Sequence, residues 1–257
     1  MNSKNTKRKT SAARRAGSEV SSDTRTRIIE RSIALFNRRG IQNVSIVSLA
    51  SDLRISPGNV TYHFKRKRDL ILETLWVLQE HLRVALKRPV GMHTPKDGAE
   101  WLLGVFRTFW DFRFFFNGLA YLLGSDPQLR KEYREFRNWV IATTVADLQY
   151  LQTRGYLLVP KPPNSFRLYA ENLWSQWLNW LRMSHIDNPR AATPDNPMLF
   201  DGLLHLWSLA QPWMPDAFAG ELLRVFEELV RTGADAVPQA APARRVKRAA
   251  SVGASDS

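Results

Sequence analysis

Between its two ends the chain places apolar residues at helical spacing, and no segment alternates convincingly with a period of two, so the predicted fold class is all-α. Ile28, Ile29, Ala34, Leu35 and Phe36 form the apolar stripe of a first helix that Gly40 ends. Ser45 is placed to cap a second helix carrying Val47, Leu49, Ala50 and Leu53. After a tight turn at Arg54-Ile55, Ser56 caps a short third helix with Pro57 at its first position, where a missing N–H costs nothing. A fourth helix is predicted from Lys67 to Leu86, stopping before Arg88-Pro89. The spacing of helices two and three is that of a helix-turn-helix, with Ala50 small enough for close helix contact. Further helices are predicted over 98–112, 113–124, 127–153, 165–185, 198–210 and 215–232, punctuated by prolines from Pro127 to Pro215.

The two ends lack this periodicity. Residues 1–22 and 236–257 are dominated by small, polar and basic side chains, which cannot bury enough apolar surface to offset chain entropy. They are read as disordered basic segments flanking a helix-turn-helix unit at 23–70 and a helical bundle at 71–235. With no cysteine, disulfides and thiolate metal sites are excluded. No apolar run approaches membrane-spanning length and the N-terminus lacks an apolar core of the signal-peptide kind, so a cytoplasmic protein without a membrane partner is expected.

Charge sharpens the division. The net charge is +13, and residues 1–90 hold 19 Lys/Arg against 7 Asp/Glu, whereas residues 91–257 hold 18 against 17. A basic field concentrated in the first third implies a polyanionic partner. The third helix, too short to stand alone, needs Val60 and Phe64 packed inward. Pro57, Gly58, Asn59, Thr61, Tyr62 and His63 are then left outward or along the edges. Asn59 can pair bidentately with adenine, and the Thr61 methyl can touch a thymine methyl. The hydroxyls of Tyr62, Ser45 and Ser48 and the His63 imidazole suit phosphate oxygens. Lys65, Arg66, Lys67 and Arg68 crowd the start of the fourth helix, where N–H groups and the dipole already favour an anion, so a phosphate would complete the site.

Residues 24–72, above all SPGNVTYHFKRKRDL from Ser56 to Leu70, resemble the DNA-binding domain of the tetracycline-repressor (TetR) family of bacterial transcription regulators. The resemblance implies a homodimer whose paired third helices enter successive major grooves of a palindromic double-stranded DNA operator. It assigns base reading to Asn59 and Thr61, and backbone contacts to Tyr62, His63, Lys67 and Ser45. Two positions depart from the family pattern, which usually has tyrosine where Thr61 stands and glycine where Arg54 stands.

Eight of the nine tryptophans and 11 of the 13 phenylalanines lie beyond residue 90. The stretch from Trp101 to Asn117 is apolar on nearly every face and belongs at the centre of a bundle. With Arg107, Asp111, Arg113 and Asn117 among the rings, an apolar effector cavity with polar anchors is expected. Its proposed lining is drawn from Trp101, Phe106, Phe109, Trp110, Phe112, Arg113, Trp174, Trp177 and His205. The segment FRFFFNGLAYLLGSDPQLRKEYREF resembles the regulatory half of one TetR subgroup. Stripes at Leu173, Trp177 and Trp180 and at Leu222, Leu223, Phe226 and Leu229 are candidates for dimerisation or for the chain's own core.

Two other classes compete. An architectural protein coating nucleic acid without sequence preference would need the basic ends alone, leaving the shaped Ser56–Phe64 helix superfluous. An enzyme finds little support: His63, His81, His93, His185 and His205 have no metal-ligand spacing, and no H-E-x-x-H, nucleophile elbow or phosphate-cradling glycine loop occurs.

Overall fold

The computed structural model describes residues 23–89, 94–124, 126–188 and 196–232, so the basic ends lie outside the described residues. Helix α1 (23–39) stops at Gly40, whose φ of 78° is readily reached only without a Cβ. A single 3₁₀ turn, Ile41–Asn43, leads to α2 (Ile46–Leu53). Ser45 and Ser48 cap α2 reciprocally: the Ser45 hydroxyl accepts from the Ser48 N–H at 3.0 Å, and the Ser48 hydroxyl accepts from the Ser45 N–H at 2.9 Å. Arg54 makes the turn with φ 57° and ψ 41°, a left-handed conformation in a non-glycine residue. Helix α3 (Pro57–His63) opens on Ser56, whose hydroxyl accepts from the Asn59 N–H at 3.1 Å. Helix α4 (Lys67–Ala85) follows.

The remaining helices are α5 (Pro95–Asp111), α6 (Arg113–Asn117), α7 (Leu119–Gly124), α8 (Pro127–Thr153), α9 (Phe166–Asp187), α10 (Asn196–Ala210) and α11 (Asp216–Thr232). Helix α5 lies against α4 and α11, α9 against α8, α6 and α10, and α10 against α11. One apolar core runs from Ile28, Leu49 and Val60 through Leu75 and Leu82 of α4 to Phe106, Trp177 and Phe226. The aromatic stripes of α9 and α11 are part of this core: Trp177, Trp180, Leu222, Phe226 and Leu229 are buried against their own chain. No described helix is long and apolar enough to cross a membrane.

Two boundaries differ from the sequence expectation. Helix α5 begins at Pro95, because Thr94 caps it with an accepted N–H bond from Asp97 at 3.2 Å and Asp97 returns the bond to the Thr94 N–H. The predicted 113–124 helix is two short ones that part at Gly118, where a Cβ would stand 3.1 Å from the Phe114 carbonyl oxygen. The α5–α6 corner is closed from the α1–α3 end. Asn37 of α1 donates to the Asp111 carbonyl at 2.6 Å and accepts from the Phe114 N–H at 3.0 Å, satisfying backbone groups that the helix break leaves open.

Candidate DNA-reading face and ligand cavity

The back of α3 is anchored by Val60 and, one residue past its end, Phe64, both buried under the α1–α2 core. Arg25 of α1 covers Phe64, its guanidinium carbon 5.0 Å from the ring centroid, while pairing with Glu73 of α4 at 2.7 Å. So fixed, α3 leaves Pro57, Gly58, Asn59, Thr61 and Tyr62 exposed, with Tyr62 79% accessible. His63 is half-buried, its ring edge-on to Tyr62 at 5.1 Å, and burial together with Arg25 holds its pKa below the usual value. The imidazole is therefore neutral near pH 7 and carries a single N–H donor.

The hydroxyls at the start of α2 differ in what they have left. Ser48 donates back to the Ser45 carbonyl at 2.9 Å, whereas the Ser45 hydroxyl acts in its capping bond only as acceptor and retains its proton for an external oxygen. The basic run splits similarly. Lys65 is exposed, and Arg66 pairs with Asp69 at 3.4 Å. Lys67 donates to the Ile41 carbonyl, with burial lowering its pKa. Arg68 binds the Asp126 carboxylate with two nitrogens and Gln128 at 2.9 Å. Lys67 and Arg68 thus clamp the start of α4 to the turn after α1 and to the start of α8.

At the other end of α4 a cavity of about 230 Å³ opens among α5, α8, α9, α10 and α11, closed at one side by Leu86. Its wall is mostly apolar and aromatic: Trp101, Phe106, Phe109, Trp174, Trp177, Trp207, Phe218 and Phe226 all contribute. Polar groups in the wall are Thr94, Thr144, Asp147, Tyr156 and Tyr169. Burial pushes the Asp147 carboxyl up to about 6 despite Arg88 beside it at 2.8 Å. Burial likewise raises the Tyr169 phenol, leaving it neutral. Among the described residues no group of three or more His, Cys, Asp or Glu is placed to hold a metal ion.

The family description "Bacterial regulatory proteins, tetR family" matches residues 28–74, and "Bacterial transcriptional repressor", its TetR partner, matches residues 77–221. A TetR-family transcriptional regulator from Marinobacter aquaeolei VT8 is 30% identical, with a TM-score of 0.70 over 80% of this chain and 98% of that one. The chain belongs to the TetR family of bacterial transcriptional regulators. More distant structures share the fold. A gamma-butyrolactone receptor is 14% identical with a TM-score of 0.58, over 82% of this chain and 98% of its own. A transcriptional regulator from Saccharomonospora viridis in complex with choline is 20% identical with a TM-score of 0.55, over 74% and 96%. No curated protein matches the chain.

In this TetR-family regulator the cavity takes in Trp101, Phe106, Phe109, Trp174 and Trp177 of the residues that the sequence suggested, and leaves out four. Trp110 is fully buried on another side of α5, against Trp180 and under the Arg113 guanidinium. Phe112 packs edge-on to His81 of α4 at 5.4 Å. Arg113 is buried with a bond of 2.9 Å to the Trp110 carbonyl, and burial brings its pKa down to about 10. His205 lies on the outer face of α10, 3.6 Å from Asp201. Sequence reasoning missed the α8 wall, above all Asp147. The signal was there: Val140, Ile141, Thr144, Leu148 and Leu151 recur every three or four residues, and Asp147 stands on that same stripe.

Proposed function

We propose that this TetR-family regulator is a ligand-responsive repressor that binds a palindromic operator as a homodimer and works in the cytoplasm. The carrying observation is the exposed outer face of α3 on a rigid apolar back, joined through α4 to an aromatic cavity at the opposite end of that helix. Asn59 and Thr61, with Pro57 and Gly58, face the bases; Ser45, Tyr62, His63 and Lys65 take phosphate oxygens. Ser48 and Lys67 serve by shaping the reading unit, since they already donate to the Ser45 and Ile41 carbonyls, whereas Ser56, whose hydroxyl only accepts in its cap as that of Ser45 does, joins the phosphate contacts. The DNA-reading unit is assigned to residues 23–70 and the ligand and dimer unit to 71–235.

The dimer surface is assigned to the outward faces of α8 and α9. On α9, Leu168, Asn172, Ser175, Asn179, Met183 and Ile186 form an exposed stripe at helical spacing without a charge. On α8, Asn138, Ala142, Ala146 and Gln149 do the same. Exposed helix faces free of charge suit the centre of an interface. That two relatives of the same fold are named for, or solved with, a small molecule agrees with an effector cavity here.

Selection of genomic fragments by the purified protein tests this reading. Recovered fragments should share an inverted repeat, bound about a thousandfold more tightly than bulk DNA, with affinity falling steeply as salt rises. Fragments with no common sequence, or an affinity indifferent to salt, would overturn it.

A further inference from the structure

We propose that the effector is a small amphipathic amine whose ammonium takes the Asp147 carboxylate in place of Arg88. This rests on the reading of the aromatic cavity as the effector site and goes on to name the chemistry of its occupant. Asp147 is the only charged residue among the described residues that line the cavity. An anionic ligand would meet a like charge there and no lining cation, whereas an ammonium meets a carboxylate framed by tryptophan and phenylalanine rings. Among the described residues the carboxylate is held by Arg88, Nη1 to Oδ1 at 2.8 Å, and its second oxygen remains for another donor.

Arg88 is free to yield. Its guanidinium already stacks on Tyr150, 3.6 Å from the ring centroid, and its side chain is 31% exposed, so it keeps a cation–π contact and water when the carboxylate is taken. Burial that raises the Asp147 carboxyl indicates that Arg88 alone offsets its desolvation incompletely, which leaves room for a better partner. Size bounds the rest of the molecule. A void of about 150 Å³ accepts benzene, so about 230 Å³ accommodates roughly ten heavy atoms. Displacing Arg88 also removes one of its two ties between the segment after α4 and α8, the Asp147 pair, and leaves the Tyr150 contact.

Calorimetric titration of the full chain with 1-octylamine, 1-octanol and octanoate at pH 7.5 tests the proposal. Octylamine should bind at least about tenfold more tightly than octanol, with octanoate weakest. Asp147→Asn should abolish that preference, and Arg88→Gln should tighten octylamine several-fold by removing its competitor. Octanol or octanoate binding as tightly as octylamine would overturn the amine assignment while leaving the effector cavity standing. Failure of all three probes would overturn both. A preference that survives Asp147→Asn, or octylamine binding unchanged or weakened in Arg88→Gln, would overturn the role of Asp147. Should Asp147→Asn not fold, the wild-type series and Arg88→Gln still decide.

Discussion

Two helical glycines respond to the same substitution with opposite signs. Gly202 of α10 faces the aromatic wall: a Cβ there would lie 2.5 Å from Phe106 Cε1 and 2.8 Å from Trp180 Cε2, both rings being buried. Gly220 of α11 is exposed, and a Cβ there would meet nothing within 4 Å. Alanine in a helix interior gains about 1 kcal/mol over glycine by restricting the unfolded chain and favouring helix. At Gly220 that gain should appear nearly undiminished, as about 0.5–1 kcal/mol. At Gly202 the overlap forces two packed rings to shift, and overpacking of this kind costs about 1–3 kcal/mol. The close approach to Phe106 places the site in the upper part of that range, for a net loss of about 1–2 kcal/mol. For a domain of this size that is a fall in Tm of roughly 3–6 °C, against a rise of about 2–3 °C for Gly220→Ala. Thermal unfolding at one fixed protein concentration reads both, since the proposed dimerisation would make Tm depend on concentration. Phe106 also lines the cavity, so Gly202→Ala should weaken binding of a cavity ligand and Gly220→Ala should not. A Gly202→Ala protein more stable than the parent would refute the packing argument.

Lys65→Ala should lower operator affinity and reduce the slope of log K against log salt by about one, without changing Tm, as expected of an exposed phosphate contact. Lys67→Ala should instead lower Tm, because the Ile41 carbonyl loses its donor, and an unchanged Tm would contradict its structural assignment. Asp147 makes stability depend on pH. Its carboxyl titrates near 6 when folded, above its ordinary 3.8, so the native state holds the proton more tightly than the unfolded chain. Its contribution is therefore full below about pH 4 and lost as pH rises through about 6, a change of up to about 3 kcal/mol. Denaturant titrations from pH 4 to 7 should show the stability of the parent falling relative to Asp147→Asn, and a relative rise would refute the burial argument.

What could be read from the sequence was local. Ser45, Ser56 and Pro57 act within one turn of their own helices, so caps, turn and α3 follow from neighbours in the chain. The tight turn at Arg54 was likewise marked by its place between two capped helices, and its left-handed φ only by the glycine that the family pattern has there. Partners far along the chain were beyond that reach. Lys67 and Arg68 look like phosphate ligands until Ile41, Asp126 and Gln128 are brought beside them, 26 to 60 residues away. Trp177 and Trp180 fit a dimer stripe as well as a core stripe, because an apolar helix face records burial and not what buries it. Trp110 and Phe109 differ by one residue, about 100° around α5, and only the placement of α9 and α11 decides which of them faces the cavity.

The placement of the clamps on α4 constrains how such a regulator switches. At about 1.5 Å per residue the 19 residues of α4 span roughly 28 Å. Its start is tied to the turn after α1 by Lys67 and to α8 by the Arg68–Asp126 pair. Its end is tied by Trp101, which donates to the Ala85 carbonyl at 2.7 Å, and the segment just after it by the Arg88–Asp147 pair. Trp101 and Asp147 are also cavity residues, so an occupant of the proposed effector site would act directly on the fastenings at this end, with no relay of side chains between sites. The opposite end cannot follow freely, because Arg68 and the Asn37 contacts to the α5–α6 corner hold the reading unit to the bundle. A tilt of about 5° about one fixed end moves the other by roughly 2–3 Å. In the proposed switch the strain of that tilt falls on Arg68, Asp126 and Asn37. Removing the Arg68 clamp should therefore weaken the coupling between effector and operator more than either affinity alone, and because coupling is reciprocal, titrating ligand against operator or operator against ligand must give the same loss.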